Sequence, residues 1–574
     1  MKTNKIILPL VALATVALSS CKDDMDFHEY AVYDKEYIEL NFGNIGGFMT
    51  DLYNGVEYDF GNYSGGAMRG AATDECVFSQ SGNGIEDFFN GAWSAANPKS
   101  SEWTGMYQNI AVANHFLEEF QGLTFPELDL NTDYGQQMHR YQNYQYEARF
   151  LRAYYYFALV RQYGGVPLIS ETLPASEQSM LSRNSSDEIF KFIFDECNDI
   201  KDKIIVNYSQ LGEYGLGTPE TGRADQLAVL ALRARAALYW ASPLFNPSND
   251  ASRWQTAASY IKECLDTAAA QGKTMVKDYA QLWGDNVHTI ALSEILYARR
   301  YYGSGGNGVD HLVEGYNWPI GAEGKTTGSN CPTQNLVEAY DLKDGSRADW
   351  SDPNKAAEIW ANLDPRFKAT VAVNGEQWPT YSGATPLETY VGGKDGEPIV
   401  NATTTSYYLK KLCVGAIDLG ASSTFQNAHH SYIIFRLGEL YLDYAEALYK
   451  LTGSADQAPA GHNMTARQAA SMTRTRVSMP ELAGNGQTFW ENLQRERFVE
   501  LAFEGHRFWD LRRWKEADKY LTSVVGLQIN KAADGTLSYR REVSSRTWND
   551  KMYLYPIPQT EIAKNPNLEQ NPGW

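Results

Sequence analysis

Several things are scarce in this chain, and each absence narrows its chemistry. Cysteine is rare, six in 574 residues, and none forms a CxxC pair. With Cys21 set aside, Cys76, Cys197, Cys264, Cys331 and Cys413 are widely spaced and odd in number, so at least one thiol is free. Cys197 and Cys264 fall within helical apolar patterns and read as core, so the spacing indicates neither metal binding nor redox chemistry. The histidines show no HExxH or other ligand spacing, no GxSxG elbow is present, and there is no aspartate-rich calcium loop. Gly303, Gly305, Gly306 and Gly308 make a glycine-rich turn without the strand-to-helix setting of a phosphate-binding loop, and no cofactor is implied. Basic residues are in deficit, 50 against 70 acidic, giving a formal charge of −20. With no Lys/Arg cluster interleaved with aromatics, that balance argues against nucleic acid as a partner.

What is abundant is aromatic. The 37 Tyr and 14 Trp suit helix packing and also the stacking of sugar rings on a wet surface. At the N-terminus Lys2 and Lys5 precede an apolar run from Ile6 to Leu18 that is too short to span a bilayer and reads as a secretory signal. The run ends Leu18-Ser19-Ser20-Cys21, and an acidic stretch, Lys22-Asp23-Asp24-Met25-Asp26, follows.

The body reads as mostly α. Tyr146–Leu168 carries apolar residues at spacings of three and four over most of a helix circumference, so other helices must cover it on several sides; Gly164, Gly165 and Pro167 stop it. A helix over Trp103–Phe120 precedes it. Ser185 to Glu188 reads as a capping box ahead of a stripe at Phe190, Ile193, Phe194, Cys197 and Ile200, and Gly222–Ser242 pairs with that helix. Small residues at the contact positions suggest successive tetratricopeptide-like pairs, without a strict 34-residue period. The region from about Asp278 to Ser431 is rich in Gly, Trp and Tyr, with helical periodicity only at Gln334–Tyr340, and a loop region this long points to function. Helices resume at Tyr432 and over Thr488–Lys515, and the proline-rich end reads as an extended strap.

Glu147–Pro167, Gly222–Asn246, Arg436–Ala447, Glu496–Trp514 and Tyr555–Trp574, in this order and behind the lipobox-like Leu-Ser-Ser-Cys, resemble the SusD-like (SusD/RagB) family of outer-membrane nutrient-binding lipoproteins. Departures are Trp574 where tyrosine is more usual and Asp225 where threonine is more usual. The resemblance implies a scaffold of about four tetratricopeptide-like helix pairs with a loop-rich ligand-binding half. It implies residues 1–20 as lipoprotein signal, Cys21 as the acylated residue, 21–35 as acidic tether and 36–574 as one domain, with helical body 36–277 and 432–518, loop-rich insertion 278–431 and strap 519–574. It also implies a SusC-like TonB-dependent transporter as partner, anchorage to the outer membrane facing the exterior, and oligosaccharide or polysaccharide as ligand.

A glycan site needs exposed rings beside convergent polar groups. Two stretches fit: one holding Trp93, Asn97 and Asp74, the other holding Tyr301, Tyr302 and Trp318 around the glycine turn, regions comparable to those that supply the aromatic arc in the resembling family. A catalytic reading would use Glu496, Glu500 and Glu504 with Asp510 as glycosidase carboxylates. The interspersed Arg495, Arg497, Arg507, Arg512 and Arg513 favour local ion pairs instead, and no catalytic residue is assigned. Glycan capture is therefore the leading reading; a peptide-binding lid, a surface glycosidase and an interaction scaffold are the alternatives.

Overall fold

The structure, a computed structural model, describes residues 35–99, 102–208, 222–283, 293–302, 313–420 and 429–574. The signal segment, Cys21, the tether and the glycine turn lie outside the described residues. Its organising element is α3 (Tyr134–Tyr163), which follows α1 (Phe42–Tyr53) and α2 (Trp103–Glu119). From Phe150 to Tyr163 every residue of α3 is buried, as its all-round apolar pattern requires. The helix begins earlier than its apolar stripe, on the polar stretch from Tyr134 that carries no stripe of its own. Gly164 ends it at φ 71°, and a Cβ on Gly165 would lie 2.2 Å from the Asn184 carbonyl oxygen, so glycine is needed there for close approach.

Successive helices pack on their neighbours: α2 and α4 (Ser186–Ile200) on α3, then α5 (Gln226–Ala241) on α4, and α6 (Ala251–Ala270) on α5. The capping box at Ser185 and Glu188 is formed, the serine oxygen accepting from the Glu188 N–H and the glutamate accepting from the Ser185 N–H. The chain then enters the loop-rich half, where β1 (Cys76–Phe78) is paired by β3 (Asn330–Pro332), and α7 (Gln334–Ala339), α8 (Ala356–Asn362) and α9 (Pro365–Thr370) are short. β4 (Val371–Ala372) pairs with β5 (Tyr408–Leu409). β2 (Ile295–Tyr302) lies antiparallel to β6 (His429–Arg436), joining the start of this half to the helix that follows it. That helix, α10 (Leu437–Thr452), begins after Arg436 rather than at Tyr432, because Tyr432–Arg436 pairs with β2 as strand; it packs on α6 and ends at Gly453, φ 67°, and α11 (Ala466–Arg476) and α12 (Gly486–Glu500) pack on it in turn.

The single helix expected over Thr488–Lys515 is broken. After α12 the chain turns through Phe503 at φ 62° and Gly505 at φ 79° before α13 (His506–Arg513). The break aims the Phe503 N–H at the buried Glu75 carboxylate, 3.0 Å away, a long-range bond that no local pattern announces. The strap expected over 519–574 is not extended from its start: a hairpin of β7 (Ser523–Lys531) and β8 (Leu537–Ser545), held by strand pairing, occupies its first part. The rest of the strap is extended apart from a short helix at Gln559–Lys564. It is tied to the end of α3 by Arg183, which donates to the Tyr163 and Glu569 carbonyls and to the Asn571 side chain, and by Tyr555 N donating to Gln162 O.

The carboxylates of α12 answer the catalytic question. Glu496, Glu500 and Glu504 are buried, and their partners are distant in sequence: Arg366 Nη1 to Glu496 (2.5 Å) and to Glu500 (2.7 Å), Arg436 to Glu500 and Glu504 (2.7 Å each), Lys411 to Glu504 (2.7 Å) and Arg474 to Glu496 (3.1 Å), with Arg476 on Glu500. Local pairing, the sequence expectation, holds only for Arg513 with Asp510. Burial alone would raise the Glu500 carboxyl, but Arg476, Arg436 and Arg366 outweigh it and hold the group well below the usual glutamate range.

Glu500→Gln leaves three buried guanidinium groups short of a charge and is expected to cost about 3–5 kcal/mol, read as a lowered denaturant midpoint; an unchanged midpoint would contradict this network. Because the folded-state carboxyls of Glu500 and Glu504 lie below their ordinary value, their contribution is complete above about pH 4.5 and is lost as pH falls below it. Unfolding midpoints measured from pH 6 down to pH 3 should therefore fall in the wild type and fall less in Glu500→Gln.

Candidate functional site

The loop-rich half contains a cleft of about 250 Å³ between the turn Pro319–Glu323 and the loop Trp378–Thr385, closed at one end by Lys394 and Asp395. Its first wall is set from below. Lys325 is buried, and its ammonium donates to the carbonyls of Gly315 and Gly328 (2.8 Å to the latter), drawing together the two ends of the segment that bears the turn. Burial pushes that ammonium down to about 7. Asp395, fully buried, accepts from Gly321 N (3.1 Å) and Glu388 N (3.0 Å), while Lys394 Nζ stands 3.2 Å from it.

The opposite wall rests on Trp378, whose indole N–H donates to Leu409 O at 3.1 Å and whose ring meets Trp318 edge-to-face at 5.2 Å. Tyr381 projects from this wall half-buried, its oxygen accepting from Glu323 N across the cleft at 3.2 Å. Burial raises the Tyr381 hydroxyl above its ordinary value, so it stays protonated and keeps its own O–H to donate. The cleft thus offers one aromatic ring, a fixed hydroxyl, the exposed Glu323 carboxylate and Lys394, which can hold an uncharged polyhydroxyl ligand by its C–H face and its oxygens. No group of three or more His, Cys, Asp or Glu side chains is placed to hold a metal ion among the described residues.

The residues singled out from sequence lie elsewhere. Trp93 is only 3% exposed, its ring covered by Phe88, Tyr555 and Trp574 and its indole N–H given to Pro98 O, so no face is free to stack on a ligand. Asp74 is buried in a two-bond ion pair with Arg507 (2.8 and 2.7 Å), and Asn97 donates to Asp87 and to Ala92 O within its own loop. Trp318 is fully buried, donating to Ile417 O, and reaches the cleft only through Trp378. Tyr301 and Tyr302 end β2 opposite His430 and His429; their side chains lie outside the described residues. Glu323, Trp378, Tyr381 and Asp395 were missed, although Trp378-Pro379-Thr380-Tyr381-Ser382-Gly383 has the same ring-beside-glycine composition as the stretches chosen.

Among the described residues no helix is long and apolar enough to cross a membrane. Comparison with known proteins finds two family models: the SusD family over residues 294–574, and starch-binding associating with outer membrane over residues 45–203. The chain is 25% identical to the starch-binding protein SusD of Bacteroides thetaiotaomicron, covering 98% of each chain. Among solved structures it is similar to a SusD-like protein of Bacteroides fragilis, at 24% identity and a TM-score of 0.75 over 94% of this chain and 99% of that one. A SusD-like carbohydrate binding protein of the same species superposes with a TM-score of 0.73 at 22% identity, covering 93% of this chain and 100% of that one. With residues 45–203 and 294–574 matched by models of the family and the full length aligned to a curated SusD protein, the protein belongs to the SusD-like family.

Proposed function

We propose that this protein is a non-catalytic glycan-binding lipoprotein that captures oligosaccharide or polysaccharide in the cleft around Tyr381 and delivers it to a SusC-like TonB-dependent transporter, over which it closes as a lid. The observation that carries the reading is the cleft itself, in which a half-buried tyrosine ring stands beside fixed polar groups in the loop-rich half. Similarity over the full chain to a starch-binding protein supports carbohydrate as the ligand class. In this reading residues 1–20 are removed, Cys21 is acylated and faces the cell exterior, and residues 21–35 are the tether; more than one acyl chain makes such anchoring durable. Trp318 serves the cleft as the support of Trp378, and binding uses no bond-breaking step.

The soluble protein, begun at residue 22, is expected to be retarded in affinity gels by one class of neutral polysaccharide, and Tyr381→Ala to weaken the retardation markedly while leaving the unfolding midpoint nearly unchanged. Failure of every glycan to retard the wild type would overturn the reading. Trp93→Ala and Trp318→Ala are expected to act through stability, each costing about 3–5 kcal/mol in denaturant unfolding; loss of binding with an unaltered midpoint would return either ring to the ligand site. Deleting the gene should reduce oligosaccharide uptake by cells, with the transporter recovered alongside the tagged protein in mild detergent.

A further inference from the structure

A larger cavity, about 400 Å³, lies in the helical half, between one face of α2, the segment Pro167–Ser179 and the strap near Leu568. Its walls are fixed by hydrogen bonds. Tyr107 OH donates to Pro167 O (2.8 Å), and the buried Asn114 spends its amide N–H groups on Ile169 O and Glu171 O (3.1 Å each) while accepting from Arg152. Thr172 N is held by Glu118 at 2.6 Å, and Asn565 donates to Leu181 O at 2.8 Å. A pocket braced from three separate segments is formed before any ligand arrives.

Its floor and rim differ in character. Trp103, Ile110, Pro167 and Leu568 are buried and make an apolar floor. Above it Thr104 and Gln108, one turn apart on α2 and exposed, have no hydrogen-bond partner among the described residues, and Ala111 on the same stripe leaves the space open. The charges do not favour an anion: the one lysine of the lining, Lys564, is paired with Glu561 at 2.8 Å, and Glu171 is exposed. A purely apolar ligand would cover the hydroxyl and amide of Thr104 and Gln108 without bonding them, which is costly. An uncharged ligand with a C–H face and a ring of hydroxyls satisfies both layers.

We propose that this pocket is a second glycan-binding subsite, taking a short stretch of neutral oligosaccharide with its C–H face toward Trp103 and Ile110 and its hydroxyls on Thr104 and Gln108. It rests on the glycan reading of the protein but not on the residues of the loop-half cleft.

The test is titration calorimetry of the soluble protein with neutral hexasaccharides of α-glucan, β-glucan, xylan and mannan. Wild type is compared with Tyr381→Ala, with Ala111→Trp, which fills the pocket from an exposed position, and with Gln108→Ala. The expected result is two equivalents bound by wild type and one by Tyr381→Ala. Placed in the Tyr381→Ala background, Ala111→Trp should remove that remaining equivalent and Gln108→Ala should weaken it about tenfold. Binding of one equivalent that Tyr381→Ala abolishes, with Ala111→Trp folded and unaltered in affinity, overturns the subsite and leaves the cleft reading standing. No binding of any hexasaccharide by wild type overturns both.

Discussion

Charge burial on α12 sets the terms for the rest of the structure. Glu496 and Glu500 of α12, and Glu504 just beyond it, are buried, and each is acceptable there only because guanidinium or ammonium groups from elsewhere meet it. Those partners arrive from four places: α9 through Arg366, the segment after β5 through Lys411, the β6–α10 junction through Arg436, and α11 through Arg474 and Arg476. Two of these belong to the loop-rich half. Buried ion pairing is therefore the joint by which that half, with its cleft, is seated on the helical body. A missing partner would leave a desolvated charge, so the joint tolerates little rearrangement.

A second joint has a similar logic with an aromatic centre. The guanidinium groups of Arg69 and Arg161 both meet the ring of Trp509 of α13, 4.9 and 4.4 Å from its centre, and both arginines bind Glu57. Residues from the early chain, from α3 and from α13 are thus fixed against one another. The strap closes the same corner, with Tyr555 packed on Trp509 and Trp93 and Trp574 set over Trp93. Large parts of the aromatic content are consumed in such joints, which is why abundant Trp and Tyr did not by themselves locate a ligand site.

The cleft proposed to take a glycan is built economically on this frame. The chain is strongly acidic overall, yet the charged groups lining the cleft are two carboxylates and one ammonium, with Asp395 buried and paired with Lys394, which suits an uncharged ligand better than an anion. The polar groups are held by bonds made within the loop half, above all Asp395 on Gly321 and Glu388, rather than by the ligand. Preorganisation of this kind lowers the ordering cost of binding.

Much of the helical scaffold was legible in the sequence because its causes are local. The all-round apolar pattern of α3, the capping box at Ser185, the positive-φ stop at Gly164 and the stripe of α4 each depend on residues within a few turns of one another. The start of α3 and the break after Glu500 were not legible, since one lacks a stripe and the other answers to Glu75, far away in the chain. The candidate site was legible only to the level of region and residue type. Whether a loop tryptophan is a platform or a buried brace depends on what covers it: Trp93 is covered by Trp574 from the opposite end of the chain, and Trp318 is shielded behind Trp378. The sequence by itself therefore determined the helices and the kinds of residue available for binding, because periodicity and capping act over short range. Only the tertiary structure decided which rings face solvent and which carboxylates are neutralised, because burial and ion pairing are properties of segments that meet in space.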